Sequence, residues 1–132
     1  MIFPISYRCL DNNIFSANEY SIVPVRYEDR LIIMKWRNEQ MYHLRQEKKL
    51  TKKEQDQYFK NIVNKLYDSD KPNQILFSFF YKKEFIGYGG LVHINWHSRN
   101  AEISFLMKTD LEKKYFETNW INFLDMIEVA SF

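Results

Sequence analysis

Cysteine is nearly absent from this chain: Cys9 alone among 132 residues. No internal disulfide can form, and a reducing compartment, the cytoplasm, is the expected location. A lone thiol so near the start reads as a small hydrophobe before it reads as a nucleophile. Long apolar runs are missing as well, since nothing approaches the roughly 20 residues that cross a bilayer. The first residues lack the basic segment and apolar run of a secretory signal. Nor is there an excess of one charge: 19 basic and 17 acidic side chains leave a net +2 and are interspersed. Nucleic-acid binders carry a basic face or stripe, so that class is set aside. A weakly basic groove for one phosphorylated ligand stays open.

Glycine is scarce too. Gly87, Gly89 and Gly90 all fall in one strand-like run, and their G-Y-G-G spacing is not that of a nucleotide loop. Glycine inside a strand marks a bulge or a close backbone approach. The three histidines are His43, His93 and His97, and no further histidine or cysteine completes a metal site with them.

What is present suffices for a core: 45% hydrophobic and 17% aromatic residues, in a length that suits one domain over residues 1–132. Residues 1–19 read as irregular. Tyr20 to Arg26 reads as a strand, with Pro24 placing it at an edge. Glu28 to Glu39 turns helical, and 38–50 reads as loop or broken helix. Thr51-Lys52-Lys53-Glu54 is a capping box. Behind it Tyr58, Phe59, Ile62, Val63 and Leu66 predict one apolar stripe on a helix ending near Tyr67. Three strands follow, Gln74–Tyr81, Phe85–Asn95 and Ala101–Lys108, joined by short polar turns. From Tyr115 to Phe132 the helical period returns. Short turns mean antiparallel neighbours, with helices before and after to cover both faces of the sheet.

This order resembles the GNAT superfamily of N-acetyltransferases. The residues that carry the likeness are Ile22-Val23-Pro24-Val25-Arg26 with Glu28-Asp29, then Trp36-Arg37-Asn38. Leu50-Thr51 with Tyr58-Phe59, Ile86-Gly87-Tyr88-Gly89-Gly90-Leu91 and Asn100 to Leu106 complete it, over residues 20–132. The likeness is closer to the branch that modifies nucleotide-linked amino sugars and protein N-termini, ribosomal ones included. It implies an α/β (α+β) fold with a mixed, mostly antiparallel central sheet flanked by helices. Acetyl-CoA would be the acetyl donor and a small-molecule primary amine the acceptor, most naturally one on a sugar nucleotide.

The resemblance also implies roles. Glu102 would face the acceptor and take the amine's proton, unless it is a solvated strand carboxylate or pairs with Arg99. Phe105, Leu106 and Met107 would bind the pantetheine arm through their backbone, and Lys113 and Lys114 would supply charge for its phosphates. Trp36, Arg37, Asn38 and Arg45 would meet the substrate, against the plainer reading of a core tryptophan and surface charges. His93 is either an auxiliary base in the acceptor pocket or a structural histidine.

Two departures qualify the match. The family's glycine-rich pyrophosphate loop corresponds to Asp110–Glu117, which holds no glycine. The family's next strand, helix and final hairpin, with a tyrosine that protonates the leaving thiolate, would lie beyond Phe132. The fold is therefore expected to be C-terminally incomplete. A second reading follows: a truncated or degenerate relative with a binding or assembly role, pairing with a second copy through an open sheet edge as a homodimer.

Overall fold

The computed structural model describes residues 3–41, 44, 46–112 and 115–131. Its centre is a five-stranded sheet of β1 (Phe15–Ala17), β2 (Tyr20–Pro24), β3 (Ile75–Tyr81), β4 (Glu84–Asn95) and β5 (Asn100–Met107). The strands lie in chain order and every neighbouring pair is antiparallel. Two connections are two-residue turns with both residues left-handed: Asn18 and Glu19 at φ 54° and 69°, Lys82 and Lys83 at 47° and 71°. That conformation matches the twist of the flanking strands, which is why such short hairpins close.

β1 corrects the expectation that residues 1–19 are irregular: Phe15, Ser16 and Ala17 pair with Ile22, Ser21 and Tyr20. A three-residue strand is too short to show a period. Pro24 sits in an interior strand, yet its expected edge character survives locally. Val25 N–H donates to Leu76 C=O at 3.0 Å, so Pro24 turns its nitrogen to the other side. There β1 has already ended opposite Ile22, and no donor is needed.

α1 (Arg30–Glu39) follows a 3₁₀ turn at Tyr27–Asp29. α2 (Lys52–Tyr58) starts at the expected capping box: Glu54 N–H donates to Thr51 Oγ1 at 3.2 Å, and Thr51 N–H to Glu54 Oε1 at 3.1 Å. The helix then widens into a π turn, Phe59–Val63, and closes as α3 (Asn64–Leu66). The π turn breaks the predicted stripe. Phe59 and Val63 are buried, whereas Ile62 is rotated out to 47% exposure. Arg30 Nε donates to Asp56 Oδ1 at 2.6 Å and Gln55 Nε2 to Arg30 C=O at 2.8 Å, which ties α1 to α2. α4 (Thr109–Glu112) and α5 (Phe116–Ser131) follow β5.

The two helical layers take opposite faces of the sheet. Adjacent residues of β3 show it: Ser78 Oγ donates to Asp29 Oδ2 at 2.9 Å, just before α1, while Phe79 packs on Phe123 of α5 at 5.2 Å between rings. On the α5 face Phe123 also meets Phe105 at 4.7 Å. On the other, Trp36 of α1 lies on Phe85 at 4.8 Å. Fully burying each such ring stabilises the fold by roughly 2–3 kcal/mol.

Candidate active site along the open edge of β5

β5 is the last strand of the sheet, and among the described residues no strand pairs with the outer side of its backbone. Alternation identifies the free side. Lys108 N–H donates to Ile86 C=O at 2.7 Å, and Leu106 stands opposite Tyr88. In an antiparallel ladder, groups that face a neighbour recur every second residue. Leu106 and Ser104 therefore turn their N–H and C=O toward β4, and Ile103, Phe105 and Met107 turn theirs outward. Of the three residues implicated by sequence, Leu106 is thus engaged inside the sheet, and Ile103 joins the outward set.

β4 closely approaches β5 at one glycine and β3 at the next. A Cβ on Gly89 would lie 2.1 Å from Ser104 O, and one on Gly90, at φ 153°, would lie 2.0 Å from Ile75 O. Here the glycine-rich run is a seam between three strands.

The far end of β5 carries the polar pair. Val92 is opposite Glu102, but Asn95 is opposite Asn100, so His93 and Ile94 together face Ala101. This is a β-bulge, and His93 sits in it at φ 50°. A bulge re-aims side chains. It brings His93 Nε2 within 3.9 Å of Glu102 Oε2, with both side chains about three-quarters exposed, at 77% and 73%. Exposure keeps any ion pair there weak, at about 1 kcal/mol or less. What the bulge supplies is proximity, a carboxylate and an imidazole side by side on the solvent-facing end of the strand.

The end of α1 organises the neighbouring loop. Trp36 is buried at 4% exposure, so it serves as a core anchor, and the polar surface of this triplet belongs to Arg37 and Asn38. Asn38 Oδ1 accepts from Leu50 N–H at 2.8 Å, and its Nδ2 donates to Leu50 C=O at 3.0 Å, a side chain imitating a strand. Gln46 Nε2 donates to Asn38 Oδ1 at 2.9 Å, and Arg37 Nε to Gln46 Oε1 at 3.3 Å. Burial pushes the Tyr88 phenol above its ordinary range; neighbouring Tyr58 adds to the rise and the Arg37 charge opposes it. Arg45 and His43 lie outside the described residues.

The turn after β5 is held from α1 as well. Gln40 Nε2 donates to Met107 C=O at 2.7 Å and to Thr109 Oγ1 at 3.2 Å. Thr109 Oγ1 donates to Glu39 Oε1 at 2.7 Å. Lys113 and Lys114 lie outside the described residues. Two surface hollows, of about 490 and 430 Å³, are lined by Lys52, Lys53, Asp56, Gln57 and Lys60 and by residues of the two hairpin turns. Neither touches β5. No group of three metal-binding side chains occurs among the described residues. No helix among them is long and apolar enough to cross a membrane.

An antiparallel sheet flanked by helices on both faces is the fold expected from the resemblance. The pattern of the acetyltransferase (GNAT) domain matches residues 22–131. The chain belongs to the GNAT acetyltransferase family. Among curated proteins none matches it. Members of this family are N-acetyltransferases, and that is the enzyme class of this domain.

Sequence reasoning missed Gln40, Glu39 and Thr109. Nothing in their local pattern separates them from ordinary polar residues at a helix end. Ile103 could have been found, because strict alternation along β5 selects 103, 105 and 107.

Proposed function

We propose that this domain transfers acetyl from acetyl-CoA to the primary amine of a nucleotide-linked amino sugar. The observation that carries the reading is the outward backbone edge of β5, with Glu102 at one end. An extended chain with amide groups docks on such an edge as an added strand does. The pantetheine arm has that character, and Ile103 and Phe105 are the positions that would hold it. When bound, the donor supplies the acetyl group as a thioester. The residues of this chain do the rest. Glu102 accepts the proton that the acceptor ammonium must lose before its nitrogen is nucleophilic. His93, at 3.9 Å, receives that proton or holds the carboxylate in place. Outward N–H groups of β5 stabilise negative charge developing on the thioester oxygen.

Arg37 and Asn38 are the proposed acceptor contacts, with Arg45 and the pair Lys113 and Lys114 as further cationic contacts to phosphate. A guanidinium suits bidentate contact with a sugar nucleotide's diphosphate. The unpaired thiol of Cys9 suits the cytoplasm as location.

Thermal unfolding with acetyl-CoA, against dephospho-coenzyme A and ATP, tests the donor. Ligand at 100 times its dissociation constant adds about 2.7 kcal/mol of stability. Amino-sugar nucleotides then head the acceptor screen, ahead of peptide N-termini and polyamines. Absence of any shift at millimolar acetyl-CoA overturns the reading.

A second reading draws on the same edge. Ile103 is 40% exposed beside unpaired backbone, which favours strand pairing with a second copy and an assembly role. Light scattering that shows a monomer at high concentration rules this out.

A further inference from the structure

Asn38, Glu39 and Gln40 are consecutive at the end of α1, yet they hold two different loops. Asn38 fastens the loop that leads to α2, through both backbone groups of Leu50. Glu39 and Gln40 fasten the opposite side: the last outward carbonyl of β5, at Met107, and the hydroxyl of Thr109 at the start of α4. Gln40 is 1% exposed, and its amide reaches a carbonyl 67 residues away in sequence. A buried carboxamide held at 2.7 Å is a fixed strut.

We propose that Gln40 is a positioning residue for the acetyl donor, fixing the Met107 end of the β5 edge and the Thr109 turn so that the donor's arm and phosphates meet preset groups. The inference rests on the reading of the β5 edge as the donor site. It adds a division of labour: Gln40 serves the donor side and Asn38 the acceptor side. The turn after β5 contains no glycine, so its backbone is not shaped by conformational freedom. Side chains from α1 anchor its first residues instead, at Met107 and Thr109. Holding a binding group in its bound position removes an ordering cost that binding would otherwise carry.

The test compares wild type with Gln40→Met, Thr109→Val and Asn38→Ala. Donor affinity is read by calorimetry with acetyl-CoA, and the KM values for donor and acceptor are measured separately. Loss of a strut hydrogen bond of roughly 1.4 kcal/mol corresponds to a factor of about ten. Gln40→Met and Thr109→Val are each expected to weaken acetyl-CoA binding about tenfold and to leave the acceptor KM within about twofold. Asn38→Ala is expected to do the reverse. A purely structural role would lower the melting temperature without this split. Equal effects on both substrates, or none, would overturn the proposal while wild type still binds the donor. Failure of wild type to bind acetyl-CoA would overturn the donor site itself, and the role of Gln40 with it. Thr109→Val decides the matter if Gln40→Met does not fold.

Discussion

Tyr7 and Leu76, 69 residues apart, satisfy one another: the phenol donates to Leu76 C=O at 2.6 Å and accepts Leu76 N–H at 2.8 Å. The ring is 1% exposed and stacks on Tyr67 at 4.2 Å between centroids. One side chain from the irregular start of the chain thus supplies a backbone partner to β3. Burial and the nearby Tyr67 push its phenol well above the ordinary value, so it stays a donor at alkaline pH.

Tyr7→Phe removes that partner and strands the Leu76 N–H. The expected cost is about 2 kcal/mol of folding stability, read by chemical denaturation. A change below about 0.5 kcal/mol would mean that water replaces the hydroxyl.

Glu102→Gln keeps the size of the side chain and abolishes its basicity. Acetyl transfer at neutral pH is expected to fall about 100-fold, with the melting temperature unchanged because the side chain is exposed. His93→Ala should act through the same pair, with a smaller loss that narrows as pH rises and free amine accumulates. Steady-state rates across pH check both. Full activity in Glu102→Gln would remove it from the chemistry.

Gly90→Ala is expected to destabilise by about 3 kcal/mol or more. The added methyl would stand 2.0 Å from Ile75 O, in backbone that cannot yield without parting β3 from β4. Urea denaturation of the variant measures the loss.

The acid side of the stability profile should depend on Glu54. Its carboxyl titrates below the ordinary 4.5, chiefly because Thr51 N–H donates to it and secondly because the Thr51 hydroxyl does. A lowered folded-state value means that the stabilisation is complete above about pH 4.5 and fades as pH falls through the lowered value. Glu54→Gln should therefore lower the melting temperature at pH 7 and bring the two profiles together under strong acid. Parallel profiles down to pH 2 would contradict the assignment.

Much of the fold was legible because its signals are local. The Thr51–Glu54 box announces α2 in four residues, and the apolar run of β3 announces a strand covered on both faces. β1 was illegible, since Phe15–Ala17 is defined by pairing with β2 and by little of its own. Ile62 was misread because a π turn changes the winding mid-helix, and periodicity assumes that winding is constant. At the site, the sequence named Glu102 and His93 separately. Only the bulge opposite Ala101 brings them together, and one extra residue in a strand leaves no mark on composition. Gln40 was illegible for another reason: its partners, Met107 and Thr109, are long-range neighbours that no local pattern encodes.

The shared end of α1 makes that helix a ruler. Asn38 and Gln40, two residues apart, project about 200° from one another at about 100° per residue, which is how one helix end reaches loops on either side. Inserting or deleting a single residue within α1 would swing both side chains by about 100° together, releasing Leu50 and Met107 in one stroke. Relatives of this domain should therefore vary freely in the loop between α1 and α2, while the number of residues from Arg30 to Gln40 stays constant.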